Sequence, residues 1–138
     1  NYGLYRRICI VKANRKETEK ASSITIDSPK AAQMAAQVLF SRWKAEMVMV
    51  TLSEDGMVLL EAGKTEPLFL ETRAREVFDV SGAGDTVGAI FIAALAAGAT
   101  PTVAGELANI GAGIVIAEVG TVSIEAERLR EEIRELAS

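Results

Sequence analysis

The chain contains no histidine and only one cysteine, Cys9, among its 138 residues. The first absence removes from this chain every mechanism resting on an imidazole base or an imidazole-ligated metal. The second removes an internal disulfide and fits a reducing cytoplasm. Cys9 lies in the apolar run RICIVK, which is expected to bury it as a structural thiol rather than present it as a nucleophile. Chemistry must therefore come from carboxylates, lysines, hydroxyls and backbone amides. A basic surplus is also missing. The formal net charge is −4, which argues against nucleic acid as the main partner. Long hydrophobic runs are absent too: the most apolar stretches, 89–97 and 110–117, are each too short to span a bilayer. The opening NYGLYRR carries charge, but no apolar region with a small-residue cleavage site follows, so neither membrane nor signal peptide is expected. The chain opens on Asn1 and runs almost directly into a strand, which points to a removed segment or to a piece of a longer protein.

What is present is ordinary globular composition, 49% hydrophobic and 25% charged, at a length that fits one domain with a real core. RICIVK predicts a buried strand over Arg7–Lys12, and RKETEKASS a short polar helix or loop. Ser28-Pro29 matches a helix start, with Ser28 as cap and Pro29 in the first helical position. That helix runs to about Trp43 and carries Ala32, Ala35, Ala36, Leu39 and Phe40 on one stripe. EMVMVTL reads as a strand covered on both faces, because its apolar run is continuous rather than alternating. Strand, helix and strand in this order suggest a right-handed βαβ unit. MVLL and PLFLE then form a hairpin whose turn includes Gly63. Two apolar helices follow, 85–97 and 101–117, with Gly98 as stop and Pro101 as restart. The last segment places Ile124, Leu129, Ile133 and Leu136 on one side of a surface helix. Charges such as Glu127–Arg130 and Glu131–Arg134 occupy its other side. No repeat or linker marks an internal boundary.

The stretch VFDVSGAGDTVGAIF, 77–91, reads as a strand end, a glycine turn and a helix start, a combination that often meets phosphate. Three chemistries compete for such a turn. The GKT at Gly63–Thr65 invites a nucleoside-triphosphate loop, but Val58 stands where that motif needs glycine, and the residues fall in a hairpin turn. GAGDTVG resembles a relaxed dinucleotide fingerprint. That site needs an acidic strand end about 20 residues on, and AGATPTVAGE is a helix junction instead. Moreover, Asp85 would set a carboxylate where the pyrophosphate should lie. The same carboxylate suits phosphoryl transfer: amides of Gly82, Ala83 and Gly84 can surround a developing phosphoryl charge while Asp85 takes the proton of an attacking hydroxyl. The competing structural reading, Asp85 as a helix cap beside a packing turn, is not separated from this by the turn alone.

Two further strand ends keep company with the turn. KANRKE holds Asn14-x-x-Glu17, and VTLSEDG ends a strand at Thr51 and turns through Ser53 and Gly56. Strand-end loops of a parallel sheet gather where ligands bind. Glu17 could hold Mg2+ through water, and Thr51–Gly56 could line nucleotide phosphates and ribose; taken singly, Asn14 and Glu17 are ordinary turn and surface residues.

Together these residues resemble the ribokinase-like (PfkB) carbohydrate kinases. DVSGAGDT resembles the family's second signature, KANRKE its N-x-x-E motif and VTLSEDG its T-L-G-x-x-G turn, and the match extends through ELANIGAGIVIAEVGTVS. TLSEDGMVLL, EVFDVSGAGDTV and EVGTVS are similar to the heptose 7-phosphate kinase domain of bifunctional ADP-heptose synthesis proteins. The resemblance implies an α/β fold, a three-layer sandwich with a mostly parallel sheet, of which this chain is the C-terminal, nucleotide-binding half with terminal helices. It implies ATP-dependent phosphorylation of a sugar or sugar phosphate in the cytoplasm. Asp85 would be the base, the Gly82–Gly84 amides the anion hole, and Asn14 and Glu17 the organisers of Mg2+ and phosphate. Asn109 matches a position near the adenine, unless it serves a helix–helix hydrogen bond. Asp79, with the loop near Gly120 and Ser123, resembles a monovalent-cation site of the K+ type, unless Asp79 is a turn cap. Ser53 departs from the family's glycine. Family members are about twice as long, and the half that chooses the sugar is not in this chain. A nucleotide-binding fragment without catalysis is the alternative. Strands that pair with the missing half would be exposed edges, so a homodimer or another partner is expected.

Overall fold

The computed structural model describes residues 9–72, 82–117 and 123–137. The first strand, β1 (Ile10–Asn14), passes without a loop into α1 (Arg15–Ser22), which leads to α2 (Pro29–Trp43) and β2 (Met47–Thr51). A 3-10 turn over Ser53–Asp55 reverses the chain into β3 (Met57–Glu61), and β4 (Leu68–Leu70) follows. The strands lie in the order β1-β2-β3-β4. Only β1 and β2 are parallel; β2–β3 and β3–β4 are antiparallel. The sheet is thus mixed, not mostly parallel, among the described residues. A five-residue link at Leu52–Gly56 is too short for a parallel crossover and long enough for a hairpin. The expected hairpin around Gly63 is present, with Gly63 at φ 84, a left-handed value that suits glycine.

The helix α2 forms where the sequence marks it. Ser28 caps it by accepting from the Ala31 amide at 3.2 Å, and Pro29 fills its first position. Its stripe of Ala32, Ala35, Ala36 and Leu39 is buried against Val48, Val50 and Val58 of the sheet. Alanines there let the helix axis come close; truncating a large member of this core, such as Leu39, costs about 2–5 kcal/mol. Met49, Met57 and Leu59, on the opposite face of the same strands, are buried as well, as the continuous apolar runs imply. Arg42 donates to the Ala21 carbonyl, and Gln33 Nε2 donates to Pro67 O at 2.9 Å, which tie α2 to its neighbours.

Cys9 corrects an expectation: it is exposed, not buried. The strand begins at Ile10 and runs on to Asn14, so Cys9 precedes the paired register instead of sitting inside it.

The chain divides into two compact units, 1–71 and 72–138, a boundary that no composition shift announces. In the second unit, α3 (Ala83–Ala96) packs on α4 (Pro101–Ile116), and α5 (Ala126–Ala137) packs on α4. The α3–α4 joint is a Schellman closure: Gly98 N donates to Leu95 O and Ala99 N to Ala94 O, both at 3.0 Å, with Gly98 at φ 92. Thr100 then caps α4 through the Val103 amide, and Pro101 follows. α4 buries a band of small residues, Ala104, Gly105, Ala108, Gly111 and Gly113. A methyl group on Gly111 would run into the Ile90 side chain of α3, so the helices approach at that point. α5 carries the expected charge mosaic, in a slightly different pairing. Arg130 meets Glu127 at 2.9 Å, Arg134 also reaches Glu127, and Arg128 reaches Glu131. All are more than half exposed, so each is worth at most about 1 kcal/mol. Among the described residues no helix is long and apolar enough to cross a membrane.

Candidate functional site

In the first unit, the parallel register sets Asn14 of β1 directly beside Thr51 of β2, at the C-terminal ends of the two strands. Neighbouring strands lie about 4.8 Å apart, so both loops that follow leave from one edge of the sheet. After Asn14 the chain becomes α1 at once, and N-x-x-E folds as a reciprocal cap. Asn14 Oδ1 accepts from the Glu17 amide at 2.9 Å, and Glu17 Oε2 accepts from the Asn14 amide at 2.8 Å. Both side chains are exposed. The cap fixes the Glu17 carboxylate at the mouth of the helix while its Oε1 lies outside the reciprocal pair.

After Thr51 the turn is equally constrained. Leu52 N donates to Gly56 O at 2.8 Å, and Asp55 N and Gly56 N donate back at 3.2 Å. Gly56 sits at φ 97, ψ −132, which needs a residue without Cβ. Ser53 adopts φ 56, in the left-handed region. That value explains why a glycine suits position 53, and it costs serine about 1 kcal/mol.

One residue that sequence reasoning missed joins the two loops. Arg15 Nη1 donates to Ile26 O at 2.7 Å, Nη2 donates to Leu52 O at 3.2 Å, and Nη2 pairs with the Asp55 carboxylate. The available signal was an arginine inside N-x-x-E and an acid inside the glycine turn, but nothing local pairs positions 40 apart.

In the second unit, α3 starts on Gly82 at φ 81, ψ −12, with no side chain capping it. Asp85 N and Thr86 N both turn back to Gly82 O, at 3.1 and 3.0 Å. The amides of Ala83 and Gly84 belong to the first turn, whose N–H groups have no acceptor within the helix. Asp85 is exposed on that same turn. The capping position is Gly82, and no side-chain hydrogen bond caps this helix start. Asn109 lies in the middle of α4 and is buried, 4% exposed, so the helix holds a polar side chain inside its apolar face. Asp79 and Gly120 lie outside the described residues, and Ser123 is exposed. The GKT residues fall in the β3–β4 turn, and the region after α3 is α4, as the rejection of the two rival phosphate motifs requires.

As for metal, no cluster of three acidic, histidine or cysteine side chains lies among the described residues. The capped Glu17 carboxylate fits Mg2+, which keeps much of its water and takes few protein ligands.

The pfkB family carbohydrate kinase pattern matches residues 4–128, and the chain belongs to that family. It is 44% identical over 131 residues to a protein of Syntrophotalea carbinolica named bifunctional protein HldE, covering 95% of this chain and 26% of that protein. A protein of the same name from Paramagnetospirillum magneticum is 46% identical over 94% of this chain and 26% of its own length. The chain thus spans about a quarter of these curated relatives. Among solved structures, Arabidopsis thaliana ribokinase complexed with ribose and ATP superposes with a TM-score of 0.83 at 21% identity, over 97% of this chain and 43% of that one. Ribokinase from Thermotoga maritima gives the same TM-score and identity, over 97% and 45%. These two likenesses establish the fold.

Proposed function

We propose that the chain supplies the nucleotide and phosphoryl-transfer half of an ATP-dependent sugar kinase whose acceptor is a heptose 7-phosphate. The observation that carries this reading is the start of α3: a helix N-terminus left open by glycine, with an exposed carboxylate on its first turn. An acceptor hydroxyl loses its proton to Asp85, its oxygen bonds to the γ-phosphorus, and the bond to the β-γ bridging oxygen breaks to release ADP. The Gly82, Ala83 and Gly84 amides stabilise the negative charge on the transferring group, with the positive end of the helix dipole behind them. Thr51, Ser53 and Gly56 line the nucleotide's phosphates and ribose, and Asn109 serves its adenine side. Glu17 would hold Mg2+ through water, and Asn14 would help organise the ion and the phosphates. When bound, that ion neutralises phosphate charge. Asp79 contributes to a K+ site. The heptose assignment rests on the relatives named HldE at 44% and 46% identity.

We assign this reaction to the cytoplasm, whose reducing conditions suit a chain with a single cysteine. Among the described residues the sheet ends on β1 and β4, and pairing along such edges would join two copies of the chain.

The test is transfer of the γ-phosphate of ATP to heptose 7-phosphate by the full-length natural protein and by its Asp85→Asn variant. Turnover should fall by about 10²–10⁴ with nucleotide affinity kept, the usual contribution of a positioned base. Unchanged turnover would remove Asp85 from the mechanism. Binding of ATP without transfer to any sugar would leave only a nucleotide-binding module.

A further inference from the structure

We propose that Arg15 is a positioning residue that shapes the nucleotide seat by clamping the Leu52–Gly56 turn to the start of α1. This rests on the reading of Asn14, Glu17, Thr51 and Gly56 as the nucleotide-side residues. Its guanidinium reaches three separate segments: the Ile26 carbonyl beyond α1, the Leu52 carbonyl at the end of β2, and the Asp55 carboxylate inside the turn. The Asn14–Glu17 cap lies on one side of this clamp, because Arg15 is the first residue of α1. Thr51, Ser53 and Gly56 lie on the other, because Leu52 and Asp55 stand between them in the chain.

A stabilising role alone fits these contacts poorly. The Asp55 side chain is 58% exposed, and an ion pair so open to water contributes little to folding. Arg15 is 29% exposed, and its two carbonyl contacts are partly buried. The planar guanidinium can serve three acceptors in fixed directions, which a lysine ammonium on a flexible stem cannot do. The held turn also contains Ser53 in a left-handed conformation that a free loop would relax. The clamp thus keeps a strained turn in one shape at the sheet edge where Asn14 and Thr51 are neighbours.

The experiment uses the full-length natural protein with Arg15→Gln, Asp55→Ala, Asp55→Glu and the Arg15→Gln/Asp55→Ala double variant. Calorimetry gives the Kd for MgADP, kinetics give KM for ATP and kcat, and melting gives Tm. Arg15→Gln should raise Kd and KM about tenfold, the size of one charge-assisted hydrogen bond. With ATP saturating, kcat should stay within about twofold, because no reacting atom is touched. Asp55→Ala should raise Kd by a smaller factor, Asp55→Glu should recover much of the affinity, and the double variant should be no weaker than Arg15→Gln alone. Wild-type affinity in a folded Arg15→Gln or Asp55→Ala protein overturns the proposal, and so does strict additivity of the two losses. Should Arg15→Gln fail to fold, the two Asp55 variants decide. Should the wild-type protein itself bind no MgADP, the nucleotide reading of the turn fails, and the role of Arg15 with it.

Discussion

The starts of α1 and α3 solve the same problem in opposite ways. Each helix leaves a set of N–H groups without intrahelical acceptors, and each begins in a motif assigned to phosphate chemistry. At α1 the protein answers those groups itself, with Asn14 and Glu17 in reciprocal hydrogen bonds. At α3 it does not: Gly82 has no side chain to offer. The helices α2 and α4 follow α1, with Ser28 and Thr100 as caps, and both place proline in the first position. Proline there deletes one of the unanswered amides. α3 instead has Ala83, which keeps it. A closed start stabilises the fold, whereas an open start beside a carboxylate can receive an anion and move a proton. The difference sets a helix start that the chain closes with its own side chains against one left open beside a carboxylate.

The comparison breaks most severely if α3 is made to look like α2 and α4. Ala83→Pro removes one amide, so turnover should drop by about 10²–10³. Gly82, at ψ −12, lacks the extended backbone that Ser28 and Thr100 give their prolines, so the melting temperature should fall as well, and steady-state kinetics on the folded fraction beside a melting curve separate the two losses. A smaller effect is expected at the closed end. Asn14→Ala removes the cap of α1 and should destabilise the protein by about 1 kcal/mol, measured by denaturant unfolding. The smallest belongs to the turn that Arg15 holds. Ser53→Gly relieves the left-handed strain at φ 56 but loosens the unfolded chain, so it should stabilise by only about 0.5 kcal/mol in the same assay.

Much of this was legible in the sequence where the determinant is local. Ser28-Pro29 and Thr100-Pro101 mark two helix starts, and Gly98 a stop, through caps and fixed backbone angles that need no partner far away. The Gly82–Asp85 turn was legible for the same reason. What escaped is set by tertiary pairing. Continuous apolar runs say that β2 and β3 are buried, but not that they run antiparallel, since direction depends on the link at 52–56. Cys9 sits in an apolar run, yet a three-residue shift of the strand start leaves it exposed. Arg15 reads as one more surface charge until the fold brings Leu52 and Asp55 to it. Asn109 was placed correctly on its helix, whereas its burial follows from the packing of α4.

The claim that α3 begins with an anion seat is tested most directly by the backbone amides themselves. In a full-length protein labelled with ¹⁵N, ADP, Mg2+ and aluminium fluoride would mimic the transferring phosphoryl group. The amide signals of Ala83 and Gly84 should then shift strongly, while those of Ala31 and Val103, already bonded to their caps, stay in place. Unmoved Ala83 and Gly84 signals with the nucleotide bound would contradict the account.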